Sequence, residues 1–133
     1  MKLQSNIKGE ASEYLFISKC MMIGYNVSKP TSSASTYDVI LERDNVFERI
    51  QVKSGNAIYF KGNKNITSWY IIRLRKKHIN LYRYTIDYLV VHIVPVDAWY
   101  KIPISEIKYV AIQLAPHRAR SRGKYEKYRI FVP

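Results

Sequence analysis

The chain is poor in cysteine, in acidic residues and in long apolar runs, and each shortage removes a class of protein. Cys20 is the one cysteine in 133 residues, so neither a disulfide framework nor a cysteine-based zinc site can form within one chain. Its apolar neighbours make it an expected small, buried hydrophobe. No run approaches the ~20 apolar residues of a membrane span, and the N-terminus lacks the basic, apolar and cleavage regions of a signal peptide. A soluble, intracellular (cytoplasmic) protein is expected. Ten Asp and Glu stand against 22 Lys and Arg, a formal charge of +12. That excess attracts a polyanion with salt-sensitive, largely sequence-independent affinity. Nucleic acid is the expected partner. A membrane surface would want a basic amphipathic helix, and no basic segment repeats apolar residues at helical spacing over several turns.

Several catalytic signatures are missing too. His78, His92 and His117 show no metal-ligand spacing, and His92 falls in an apolar run that suits a core or sheet-surface histidine better than a ligand. There is no glycine-rich phosphate loop ending in Lys-Ser/Thr, no nucleophile elbow around the clustered serines, and no internal repeat. The length suits one domain, residues 1–133, large enough to bury a core without staples.

What the chain does have is a helix followed by mostly extended runs. Residues Ile7 to Ile23 predict a helix, capped by Ser5 or Asn6 and ended by Gly24, with Leu15, Phe16, Ile17, Cys20, Met21 and Met22 forming a broad buried face. A short strand at Tyr25 to Ser28 precedes a polar loop, Thr31 to Thr36. Strands at Tyr37 to Glu42 and Phe47 to Lys53 flank the turn-forming Arg43-Asp44-Asn45 and read as a hairpin. Extended runs are also expected at Ala57 to Phe60, Ser68 to Leu74, Trp99 to Pro103 and Tyr109 to Leu114. Tyr88 to Val94 is apolar almost throughout, as a central strand covered on both faces should be. Arg75 to His78 reads as an exposed basic cluster and Arg118 to Lys124 as the densest charge run. Asp87, at a strand start, suits capping or turn formation.

The hairpin carries the chemistry. Side chains alternate along a strand, so Gln51 and Lys53 share one face and leave Ile50 and Val52 to the core. Asp38 at the start of the partner strand and the Gln51 amide oxygen are hard oxygen donors that suit Mg²⁺, and the Val52 carbonyl offers another. Lys53 would orient or deprotonate an attacking water, or stabilise charge on a phosphate. A second carboxylate must come from the helix, where Glu10 and Glu13 lie near one another on one face.

Here a resemblance takes hold. Lys8-Gly9-Glu10-Ala11-Ser12-Glu13, Gly24-Tyr25, Val27-Ser28-Lys29-Pro30, Tyr37-Asp38 and Gln51-Val52-Lys53-Ser54 resemble the PD-(D/E)XK nuclease superfamily. They are most similar to its group I intron-associated homing endonucleases, whose third core position is Gln, and are related to the archaeal Holliday junction resolvases. The similarity runs on through Ile86-Asp87-Tyr88-Leu89, Pro95 to Pro103 and Gly123 to Arg129, nearly the whole chain. Two departures stand out: Tyr37 replaces the proline before Asp38, and the chain finishes Arg129-Ile130-Phe131-Val132-Pro133 where relatives tend to have an apolar helical tail containing Trp.

The resemblance implies Glu13, Asp38, Gln51 and Lys53 as the catalytic set, and selects Glu13 over Glu10 because the glutamate falls four residues after the glycine of Lys-Gly. The expected fold is α/β and restriction-endonuclease-like: a central mixed sheet of about five strands flanked by helices, with the hairpin and the Leu89 to Val94 run in its middle and the first helix on one face. The expected activity is a Mg²⁺-dependent DNA endonuclease, with Mn²⁺ as the alternative ion and Glu13, Asp38, Gln51 and Val52 as ligands. Lys8, Ser28, Lys29, Thr36 and Ser54 are expected near the scissile backbone, and Arg73, Arg75, Lys76, Lys77, Arg118, Arg120 and Arg122 along duplex or branched DNA. One site per chain favours a homo-oligomer, dimer or tetramer. The competing readings are a junction resolvase of the same fold and a nucleic-acid-binding module without catalysis.

Overall fold

In a computed structural model of the chain, the described residues are 5–55, 58–59, 69–117 and 123–132. Helix α1 (Ser5–Met22) is followed by strands β1 (Asn26–Ser28), β2 (Val39–Arg43), β3 (Val46–Gly55), β4 (Ile58–Tyr59) and β5 (Trp69–Arg73). Helix α2 (Lys76–Thr85) comes next, then β6 (Tyr88–Ile93), β7 (Ala98–Pro103), β8 (Ala111–Leu114) and β9 (Arg129–Ile130). Six strands form a mixed sheet in the order β1-β2-β3-β6-β7-β9, and three more form a second sheet, β4-β5-β8. The expected mixed α/β architecture holds, but the central sheet has six strands where about five were expected. The sixth is β9, which pairs antiparallel with β7, Ile130 opposite Trp99. The runs at β5 and β8 leave the central sheet because they pair with each other, Ile72 opposite Ile112.

Local chemistry explains the boundaries. Asp44 and Asn45 adopt φ of +54° and +62°, so the β2–β3 turn is a two-residue hairpin of the twisted kind that Asp and Asn tolerate, and Arg43 stays in the strand. Gly24, at φ +99°, ends α1: its N–H donates to the Met21 carbonyl, and the Tyr25 N–H to that of Cys20. The helix is already running at Ser5, so Asn6 lies inside the first turn, where its Oδ1 accepts from the Ile7 N–H.

The broad apolar face expected of α1 is narrower in fact. Ser12, Phe16 and Cys20, spaced four apart, are buried, while Leu15, Met21 and Met22 are exposed. Phe16 and Cys20 pack on Val39, Leu41, Ile50, Val52, Val90 and Trp99. Burial pushes the Cys20 thiol up to about 12, so it behaves as the hydrophobe its surroundings predicted. The opposite face of the sheet, with Leu89, Val91, Ile93, Tyr100 and Ile102, packs against β5, β8 and the buried Ile79 and Tyr82 of α2.

Strand β6 sits between β3, to which it is parallel, and β7, to which it is antiparallel, and residues 89 to 91 and 93 are fully buried. That is the central position its near-continuous apolar run required. Asp87 fixes the start of the β3–β6 pair: its Oδ2 accepts from the Arg49 N–H at 2.7 Å, its Oδ1 from Nη2 at 3.1 Å, and its own N–H donates to the Arg49 carbonyl.

Candidate active site

Asp38 lies one residue before β2, and the hairpin positions it twice over. Its N–H donates to the Ile50 carbonyl at 2.7 Å, and its Oδ2 accepts from the Val52 N–H at 2.8 Å. The carboxylate is therefore locked against the Gln51-Val52-Lys53 strand. Ile50 and Val52 are buried beneath α1, and Gln51 and Lys53 lie beside Leu89 and Val91 on the other face, as period-two alternation predicted. Both are half-buried, and the Gln51 amide has no hydrogen-bond partner among the described residues.

Glu13 enters from α1 and meets Asp38 in a cleft of about 300 Å³. The β1–β2 connection supplies the rest of the wall: Lys29, Pro30, Thr31, Ser32, Ser33, Ser35 and Tyr37. Gln51 and Lys53 are outside this lining, so Glu13 joins Asp38 from one side and Lys53 approaches it from the strand. Burial pushes the Asp38 carboxyl up to about 6. The Val52 hydrogen bond counters this, the nearby Glu13 charge adds to it, and Lys53 and Lys29 oppose it.

Lys29 is ion-paired with Glu13, Nζ to Oε1 2.7 Å, and its ammonium is held above its ordinary range chiefly by that hydrogen bond. Ser28, at the end of β1, is exposed, and Thr36 and Ser54 are half-buried. Lys8 lies on the first turns of α1. On the face shared by Gln51 and Lys53, Arg73 ends β5 and Arg75 precedes α2; both are exposed, as are Lys76 and Lys77. Arg118, Arg120 and Arg122 lie outside the described residues.

The basic cluster at Arg75 to His78 is the start of helix α2. Sequence reasoning missed α2 because polar residues dominate it, yet Ile79, Tyr82 and Ile86 keep helical spacing and are all buried. His78, in its first turn, is held below its ordinary range by burial and then by the Lys53, Lys77 and Arg75 charges. The first turn of α2 is thus electrostatically linked to Lys53. His92 is no ligand: it lies buried between Ser12 Oγ and Asp97 Oδ1, 2.8 Å from each.

Among the described residues no three His, Cys, Asp or Glu gather. Glu13 and Asp38 supply two carboxylates to the cleft, and the Gln51 amide and Val52 carbonyl belong to the strand to which Asp38 is bonded. Such a set fits a hard cation that keeps several waters, and it does not fit a soft one.

A mixed six-stranded sheet with α1 on one face, bringing Glu13 to Asp38 at the head of the hairpin, is a restriction-endonuclease-like fold. Residues 3–129 match the PD-(D/E)XK endonuclease family, and the chain belongs to it. Nucleases of this family generally use divalent metal ions. Among solved structures the chain is similar to a bacterial homing endonuclease, I-Ssp6803I, with 22% identity and a TM-score of 0.73 over 96% of this chain and 88% of that one. It is also similar to Hjc of Archaeoglobus fulgidus, a Holliday junction resolvase from an archaeal hyperthermophile. There the identity is 14% and the TM-score 0.54, over 83% of this chain and 85% of that one. A comparison with curated proteins gives no match. Among the described residues no helix is long and apolar enough to cross a membrane.

Proposed function

We propose that the chain is a Mg²⁺-dependent DNA endonuclease of homing-endonuclease type, acting as one domain over residues 1–133 within a homo-oligomer. The observation that carries this reading is the 2.8 Å hydrogen bond from the Val52 N–H to Asp38 Oδ2, which fixes a half-buried carboxylate against the Gln51–Lys53 strand. Asp38, Glu13, the Gln51 amide and the Val52 carbonyl would hold the ion, for which Mn²⁺ can substitute. When bound, such an ion would supply charge neutralisation at the scissile phosphate and a more acidic water. Lys53 would orient the attacking water and stabilise charge on the phosphate oxygens. Lys8, Ser28, Lys29, Thr36 and Ser54 hold the backbone at the cut, and the exposed Arg73, Arg75, Lys76 and Lys77 hold it further along. One site per chain and two strands to cut favour a symmetric dimer or tetramer.

Junction resolution is the second reading, supported by the fold likeness to the archaeal resolvase. One experiment separates the readings: duplex, single-stranded and four-way DNA offered to the parent and to Lys53→Ala, with and without Mg²⁺. The nuclease reading expects Mg²⁺-dependent cutting by the parent and a loss of at least about a hundredfold in the variant. Preferential cutting of the four-way substrate favours the resolvase. Binding without cutting by the parent, or equal cutting by the variant, overturns the enzyme reading.

A further inference from the structure

Lys29 presents its ammonium to two partners on α1 at once. Its Nζ lies 2.7 Å from Glu13 Oε1 and 4.5 Å from the centre of the Tyr14 ring. The two sides of the ion pair differ in freedom: the Glu13 side chain is 15% exposed and that of Lys29 42%. The carboxylate is the more buried partner, and the ammonium the more exposed one. Apart from Glu13 and Lys29 themselves, the cleft wall offers one other charged residue, Asp38; the remainder is neutral Pro, Ser, Thr and Tyr. A cation placed beside two carboxylates in a half-enclosed cleft is what a bound metal would also be. Both would draw on the same Glu13 charge.

Resting on the reading of Glu13 as a metal ligand, we propose that Lys29 is the counter-ion of the metal-free site, which gives up Glu13 when a divalent cation binds and passes to a DNA phosphate. The Tyr14 face gives the ammonium an attractive partner on the way out. Two consequences follow from linkage. Lys29 weakens metal binding in the free protein, because the ion must displace it. DNA that engages Lys29 relieves that competition, so metal and DNA strengthen each other's binding reciprocally.

The test is Mn²⁺ titration by calorimetry on the full chain, free and with a non-cleavable phosphorothioate duplex, for the parent, Lys29→Met, Glu13→Gln and the double variant. Circular dichroism checks folding, and Lys29→Gln stands in should Lys29→Met fold poorly. Lys29→Met is expected to bind Mn²⁺ roughly two- to fivefold more tightly than the parent in free protein. It should also lose most of the tightening that the duplex confers, and in the Glu13→Gln background it should have no effect. Unchanged or weaker Mn²⁺ binding by Lys29→Met overturns the exchange, as does a gain that persists without Glu13, the mark of a general field effect. If parent and Glu13→Gln bind Mn²⁺ alike, the metal-ligand reading of Glu13 falls and the exchange falls with it.

Discussion

At the scale of the residue, Asp38 sets a conflict between stability and chemistry. A carboxyl raised to about 6 in the fold, against an ordinary value of about 3.9, binds more protons folded than unfolded between those values. The metal-free protein therefore loses this group's contribution as pH rises from about 4 through 6, and at neutral pH the half-buried charge is a cost. Asp38→Asn keeps an oxygen for the Val52 N–H and removes the charge. It should stabilise the metal-free protein at pH 7.5 by about 1 kcal/mol after allowing for solvent screening, or roughly 3–5 °C in Tm by differential scanning fluorimetry. The same variant should abolish Mn²⁺ binding, and parental affinity should weaken as pH falls below about 6. A Tm unchanged or lowered would show that burial does not strain the carboxylate. The shared face of Gln51 and Lys53 was legible in the sequence because alternation along a strand fixes which face each residue takes. The Glu13–Lys29 pair was not, since it joins α1 to the chain just after β1 and no local period encodes that meeting.

At the scale of the element, α1 must be held in roll and depth for Glu13 to enter the cleft. Phe16 and Cys20 supply the apolar contact, and Ser12, one residue before Glu13, supplies a directional one through buried His92 to Asp97, which also accepts from Trp99 Nε1. The imidazole stacks on Trp99 with ring centres 3.9 Å apart, so a phenyl ring can occupy its place. His92→Phe leaves the buried Ser12 hydroxyl unsatisfied and should cost about 1–3 kcal/mol in urea unfolding; adding Ser12→Ala should recover part of that. Burial holds His92 below its ordinary range despite Asp97, so the unfolded chain binds the extra proton first. Stability from this group is present above about pH 6.5 and falls as pH drops below it, the opposite sign to Asp38. His92→Phe should flatten that acid-side loss, and an unchanged slope between pH 5 and 7 would sink the assignment. The sequence marked His92 as a core or sheet-surface histidine. It did not show the anchor, because Ser12 lies 80 residues away and only tertiary packing joins them.

At the scale of the molecule, the formal charge of +12 gives affinity for any polyanion, and position decides which charges meet the backbone near the site. The first turn of α2 bears on Lys53 through the field felt by His78, and Arg75, Lys76 and Lys77 there are exposed. Acidic residues are absent from that turn, so no local carboxylate neutralises it. Arg83 lies in the last turn of the same helix, about 10 Å further along the axis. If DNA crosses the site on the α2 N-terminal side, each phosphate contact removed should lower the slope of log Kobs against log salt by about 0.9. The Arg75→Ala, Lys76→Ala, Lys77→Ala triple variant should thus lower the slope by about 2 to 3, and Arg83→Ala should leave it unchanged. Fluorescence anisotropy with Ca²⁺ in place of Mg²⁺, which separates binding from cutting, measures both. Equal slopes for the triple variant and the parent would move the DNA track off α2, leaving the basic excess elsewhere to hold the duplex.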